Sequence, residues 1–200
     1  MCPLPEYSSS RLIHPAAPNE FSPEEHTLLL QLAHQAIAAA LEQREISLVP
    51  PTPHLAEPRG VFTTLYDRGD LRGCVGYVFP VTSLYRTVAE SARGAAFDDS
   101  RFAPVTRDQA PGLEVSLSIL SPPQPIQPEA VEIGRHGLLV RLGAYRGLLL
   151  PQVPVEHGWD RITFLEQTCK KAGLPSSAWQ AGAQLEAFTA EVFGDRDVEP

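Results

Sequence analysis

The hexapeptide LRGCVG, residues 71–76, is where residue types and spacing in this chain point most directly to chemistry. Cys74 stands between Gly73 and Gly76, two positions after Arg72. A thiol acts as a nucleophile or redox group only as its thiolate, and a neighbouring cation such as Arg72 favours ionisation. The two glycines carry no side chains, so a ligand or another strand can approach this backbone closely. Packing is the competing account, because a cysteine outside a disulfide is among the most buried of residue types. The residues alone leave both readings open.

Other candidates are weaker. Asp98 and Asp99 near Arg101 could form a carboxylate site, although local salt bridges in a loop that ends a helix are the simpler account. Of the six histidines (His14, His26, His34, His54, His136 and His157), His157 in PQVPVEHGW is the best partner for a thiol, beside Glu156 and Trp159. A loop histidine at the start of a helix is still its simpler reading. Adjacent Glu156 and His157 do not make the two-histidine helical zinc signature, and no metal-binding pattern is present. The glycines of GLLVRLGAYRG match neither a phosphate loop nor a dinucleotide fingerprint, and hairpin turns explain them.

The elements that must position these residues are legible from periodicity. FSPEEHTLLLQLAHQAIAAALEQRE opens with Ser22 as N-cap, Pro23 in the first helical position and Glu25 completing a capping box. Leu28, Leu29, Leu32, Ala33, Ala36, Ile37, Ala40 and Leu41 then recur at helical spacing, which predicts a helix over 23–45. VPPTPHLAEP reads as a stiff linker. GVFTTLYDRGDLRGCVG reads as a hairpin turning at residues 67–70, which puts Cys74 on its second strand. Strict alternation would then place Leu71, Gly73 and Val75 on the core face, with Arg72 and Cys74 on the polar one, and hence an exposed thiol.

A second helix is expected over 82–97, and LEVSLSIL alternates as a half-buried strand. A second hairpin turns at Gly143 and Ala144. A third helix runs from Asp160, its N-cap, to Gly173, and LEAFTAEVFG closes the chain as one strand. Hairpins plus three helices, without strand–helix repetition, predict an α+β fold: a mainly antiparallel sheet with flanking helices. Residues 1–20 read as a disordered arm and 21–200 as a single domain.

Composition narrows the function classes. The chain has 200 residues, 43% apolar and 20% charged, which is ordinary for a globular domain. The net charge of −8 carries no basic run, which disfavours nucleic-acid binding. Cys2, Cys74 and Cys169 cannot all pair, and none forms a CxxC, so neither a disulfide framework nor a zinc cluster is signalled. The first twenty residues lack the apolar stretch of a signal peptide, and no run is long enough to span a membrane. A soluble cytoplasmic protein that binds no membrane is expected.

LRGCVG resembles the hexapeptide LRGC(I/V)G that marks the AMMECR family. SARGAAFDDSRFAPVT, LEVSLSILSPPQPI, VEIGRHGLLVRLGAYRGLLLPQVPVEHGWDRITFLEQTCKKAGLP and FTAEVF resemble prokaryotic members in the same order, over residues 24–194. The resemblance implies an α+β fold of two unequal lobes around a cleft, with the hexapeptide near it. It also implies partners, a Memo-type protein and a radical S-adenosylmethionine enzyme, and it names no cofactor for this chain. It supplies no established activity. The family pattern maps onto Leu71, Arg72, Gly73, Cys74, Val75 and Gly76, and onto Pro151, Gln152, Val153, Glu156, Gly158 and Trp159. His157 falls where relatives commonly carry tyrosine or another polar residue.

Two functions follow as expectations. In the first, Cys74 is the catalytic thiol of a modification enzyme. Arg72 and Arg101 hold a small anionic substrate there, Gly73 and Gly76 admit it, and Gln152 and Glu156 complete the cleft. In the second, the chain is a non-catalytic adaptor or substrate-presenting module for the Memo-type and radical S-adenosylmethionine partners, with LRGCVG as a packing or docking motif.

Overall fold

The computed structural model describes residues 20–79 and 81–197. In chain order the elements are α1 (Pro23–Glu42), β1 (Gly60–Asp67), β2 (Asp70–Tyr77), α2 (Leu84–Phe97), β3 (Leu113–Leu120), β4 (Gln124–Pro125), β5 (Gly137–Leu142), β6 (Tyr145–Leu149), α3 (Gln152–Glu156), α4 (Arg161–Lys171), β7 (Gln184–Phe188) and β8 (Ala190–Gly194), with short 3-10 turns between some of them. The fold is α+β, with two antiparallel sheets in the orders β2-β1-β3-β8 and β4-β7-β5-β6. No described helix is long and apolar enough to cross a membrane. Of the arm expected over 1–20, all but Glu20 lies outside the described residues, as do His14 and Cys2.

The chain divides into two compact units, residues 121–191 forming the second. In the first, α1 begins with the expected capping box: Ser22 Oγ accepts from Glu25 N, and Glu25 Oε2 accepts from Ser22 N. It ends at Glu42, where Gln43 adopts the left-handed conformation that stops a helix. The linker after it is not featureless, because a 3-10 turn at His54–Ala56 buries Leu55 completely. The core of this unit joins Leu29, Leu32 and Ile37 of α1, Val88, Ala92 and Ala95 of α2, and Val61, Leu65, Val115, Leu117 and Ile119 from the sheet. α2 lies against β1 and β2 at close range because the residues it presents are small: Ser91, Ala92, Gly94 and Ala95 are all buried. Ser91 Oγ and Thr63 Oγ1 are 2.7 Å apart, so two buried hydroxyls satisfy each other within this apolar contact.

The hairpin β1–β2 turns at Arg68 and Gly69, both with positive φ (53° and 92°), the two-residue turn that matches strand twist. Its ladder is irregular. Tyr66 faces Leu71, but Leu65 faces Gly73 and Thr64 faces Cys74, so Arg72 has no residue opposite it and forms a β-bulge. The alternation expected for LRGCVG therefore breaks at Arg72. Gly73 and Val75 face α2, as expected. Leu71 shares the face of its partner Tyr66 instead of joining Val75, because an extra residue shifts the period-2 pattern by one.

In the second unit α4 covers one face of the sheet. Phe164, Leu165 and Cys169 pack on Leu138, Val140, Leu185 and Ala187. α4 starts where expected, with Asp160 Oδ1 accepting from Thr163 N at 2.8 Å. The turn between β5 and β6 falls at Gly143 and Ala144, with Gly143 at φ 58°. Two local expectations fail. PQVPVEHGW, read as a loop, contains α3: Pro154 lies in its first turn, where a missing N–H breaks no helical bond. LEAFTAEVFG is not one strand. β7 pairs with β5 in the second sheet, whereas β8 lies beside β3 in the first. The break at Thr189 is held within the second unit by Ser121 N donating to Thr189 O and Thr189 N donating to Ser121 Oγ, each at 2.9 Å.

Candidate functional site

β2 is the outer strand of its sheet, and the segment after α2 closes part of its exposed edge. Cys74 N donates to Asp99 Oδ2 at 2.8 Å. Asp99 is fixed in turn by Arg101, whose Nε and backbone N donate to Oδ1 (2.9 and 3.2 Å) and whose Nη2 donates to Oδ2 at 2.7 Å. These Arg101 bonds hold the Asp99 carboxyl down at about 2, against the opposing effect of burial and with help from the Cys74 N–H. The Asp99 side chain is 8% exposed, so a carboxylate is being used as an internal bracket between strand and loop.

Cys74 itself is 6% exposed, which corrects the expectation of an exposed thiol. The reason is that facing away from α2 does not mean facing water: Thr64, directly opposite on β1, places its hydroxyl 3.4 Å from the sulfur as a donor. Both described cysteines are buried thiols, and burial pushes Cys169 upward from its ordinary range. The glycines are taken up by packing. A Cβ on Gly73 would sit 2.0 Å from the carbonyl oxygen of Ala95 in α2. One on Gly76 would sit 2.2 Å from the Phe62 ring. At both positions the side-chain direction is filled by the chain itself, so packing accounts for the two glycines, one of the two readings the sequence left open. The close neighbours anticipated there are a helix backbone and an aromatic ring.

Arg72, the bulge residue, is turned onto the loop that follows α2. Its Nη2 donates to Ala103 O at 2.6 Å and to Gln109 Oε1 at 3.3 Å. The same Gln109 oxygen accepts from Thr106 N and Thr106 Oγ1, so the loop conformation and the Arg72 contact are tied together. Arg101 is not paired with Arg72 around a shared vacancy. It is committed to Asp99 and lies with its guanidinium carbon 5.4 Å from the Phe102 ring centre.

Gln152 and Glu156 belong to the second unit, at the two ends of α3 and four residues apart. Gln152 is half-buried and Glu156 exposed. His157 ends α3 and stacks on Trp159, ring centres 4.7 Å apart. The other described histidines also have contacts of their own. His26 stacks on Phe193, His34 bonds Asp195, His54 bonds Glu25, and His136 accepts from Glu132 N. Thr64, Ala103 and Gln109 were not singled out from the sequence. A regular hairpin counted from the turn would set Thr64 opposite Gly73, and only the bulge brings it to Cys74.

An AMMECR1 family profile matches residues 30–193. A Methanopyrus kandleri protein, MK0488, is 44% identical over 189 residues, covering 88% of this chain and 91% of its own. A Methanocaldococcus jannaschii protein, MJ0810, is 41% identical over 187 residues, covering 88% and 92%. The crystal structure of the uncharacterized protein PH0010 from Pyrococcus horikoshii superposes with a TM-score of 0.72 at 39% identity, covering 89% of this chain and 95% of that one. A profile over most of the chain, full-length relatives above 40% identity and a matching solved fold define one protein class. The chain belongs to the AMMECR1 family, and its LRGCVG segment is the bulged edge strand just described.

Proposed function

We propose that this chain is a non-catalytic adaptor or substrate-presenting module for a Memo-type protein and a radical S-adenosylmethionine enzyme, corresponding to the A component of such a system. The partners come from the family resemblance. The observation that supports a non-catalytic role is the use of LRGCVG as framework. Cys74 is 6% exposed with its N–H tied to Asp99, and Gly73 and Gly76 abut Ala95 and Phe62. A nucleophile has to reach a substrate, and this thiol is buried with the Thr64 hydroxyl against it.

The experiment is association of the purified chain with both partners at micromolar concentration, with and without S-adenosylmethionine. The expected outcome is a complex that survives Cys74→Ala. No complex under any of these conditions removes the proposal.

A thiol-dependent modification enzyme is the second reading, favoured by the Thr64 hydroxyl donating to the Cys74 sulfur, since a donor to sulfur supports the charged form. Native-state labelling with iodoacetamide separates the two. The adaptor reading expects Cys74 to react only on unfolding, and prompt labelling of the folded chain moves the assignment to the enzyme.

A further inference from the structure

The second unit contains an open groove. Ile126 N donates to Leu185 O at 3.1 Å, and the chain then turns away from β7 into the 3-10 turn Pro128–Ala130. β4 therefore pairs with β7 only at Ala187 and Glu186, and the start of β7 has no strand beside it on that side among the described residues. A second 3-10 turn, Ala178–Gln180, comes just ahead of β7 and is held by Ala183 N donating to Ala178 O at 3.1 Å. The groove lined by these pieces has a volume of about 600 Å³, within the range of small-molecule sites.

Its lining is chemically one-sided. Ile126, Pro128 and Leu185 supply apolar wall, and Trp179, half-buried and packed on the core under α4, supplies an aromatic one. Glu129 and Glu186 also line the groove, whereas no described lysine, arginine or histidine does. Two arginines touch these glutamates without belonging to the lining. Arg161 Nη1 donates to the main-chain oxygen of Glu129, and Arg141 Nε lies 3.2 Å from the Glu186 carboxylate. Glu186 is thereby partly compensated, but the exposed Glu129 carboxylate has no hydrogen bond or ion pair among the described residues.

We infer that this groove binds a small organic cation, an ammonium group on an apolar body, with the ammonium against Trp179 and the Glu129 carboxylate and the body along Pro128 and Leu185. An anion would meet two carboxylates and no lining cation. A neutral apolar molecule would strip water from Glu129 and return nothing to its charge. An ammonium over an indole face is attracted by the ring quadrupole, and tryptophan is the best of the aromatic partners. A ring already packed against a core loses little freedom on binding. The inference goes beyond the adaptor reading, which is decided by complex formation and not by anything measured at this groove.

The test is a titration of the full chain with choline and, separately, with butylammonium, read at the indole N–H signals of Trp159 and Trp179 by NMR. Trp159, stacked on His157 and outside the groove lining, is the internal reference. A saturable shift at Trp179 is expected. The neutral alcohol in which tert-butyl replaces the trimethylammonium of choline should bind at least about tenfold more weakly than choline. Trp179→Leu should weaken cation binding about three- to thirtyfold, and Glu129→Gln about two- to fivefold. Glu132→Gln, which removes the same charge from an exposed pair with Arg135, should leave binding unchanged. Saturation by choline alone assigns a quaternary ammonium, and by butylammonium alone a primary one. A Trp179 signal that stays still with both cations, shifts that never saturate, or equal affinity for choline and the neutral alcohol overturn the inference. The wild-type titrations decide this even if Trp179→Leu fails to fold.

Discussion

Asp99 Oδ2 accepts the backbone N–H of Cys74 at 2.8 Å, across 25 residues of chain. A side chain thereby takes the place of a missing neighbour strand at one position of the β2 edge. The exposed edge of a sheet is a liability, and here it is closed by a carboxylate that Arg101 keeps ionised. This bracket joins strand, helix end and loop around LRGCVG, and its strength is testable through protons.

Asp99 is held at about 2, below its ordinary 3.8, first by the Arg101 side chain. A carboxyl lowered on folding contributes stability that is complete above about 3.8 and is lost as pH falls towards about 2. The displacement corresponds to about 2 kcal/mol. Asp99→Asn keeps an acceptor for Cys74 N–H but forfeits the Arg101 pair. Urea unfolding near neutral pH should show that loss, and the gap from wild type should close as pH approaches about 2. A constant gap across this range would contradict the bracket.

Gly73→Ala places a Cβ 2.0 Å from the Ala95 carbonyl oxygen, a backbone atom that cannot swing aside. Separating α2 from β2 should cost about 3 kcal/mol, the upper end for overpacking, and lower Tm by roughly 6–12 °C. Gly112→Ala, where no atom lies within 4 Å, is the control and should be neutral or slightly stabilising. Equal melting temperatures for the two variants would refute the close approach.

Cys74→Ser puts a hydroxyl at a site 6% exposed. An unsatisfied buried hydroxyl costs about 1–3 kcal/mol, and Thr64 Oγ1 offers a partner, so a loss of about 1 kcal/mol is expected from thermal unfolding. An unchanged Tm would indicate that the thiol is wetter than its surroundings suggest.

His136 accepts from Glu132 N at 3.1 Å through Nδ1, which requires the neutral ring, and burial lowers its pKa. With the folded value below the unfolded one, protons favour the unfolded chain, so this contribution is complete above about 6.5 and declines as pH falls below it. NMR titration should find the His136 midpoint below that reference. His136→Gln should flatten the loss of stability as pH falls below about 6.5. A midpoint at or above about 6.5 would contradict the assignment.

The sequence by itself determined the elements whose causes are local. Ser22, Pro23 and Glu25 start α1 through contacts three residues apart. Arg68-Gly69 and Gly143-Ala144 turn the hairpins through their own backbone angles, and LEVSLSIL states the buried side of β3 by alternation. The family and its fold were equally legible, because they reside in the order of whole segments. Only the tertiary structure decided the site. The bulge at Arg72 arises from register against β1, and it moved Leu71 off the expected face and set Thr64 against Cys74. The closure of the β2 edge needed Asp99, and the demand for glycine at position 73 came from Ala95, both supplied by chain beyond the hairpin. The break of LEAFTAEVFG into β7 and β8 likewise answers to pairing partners that lie far away in the chain. A period read along a strand records which side is buried while every residue has a partner. It carries no mark of the residue that the neighbouring strand leaves unmatched.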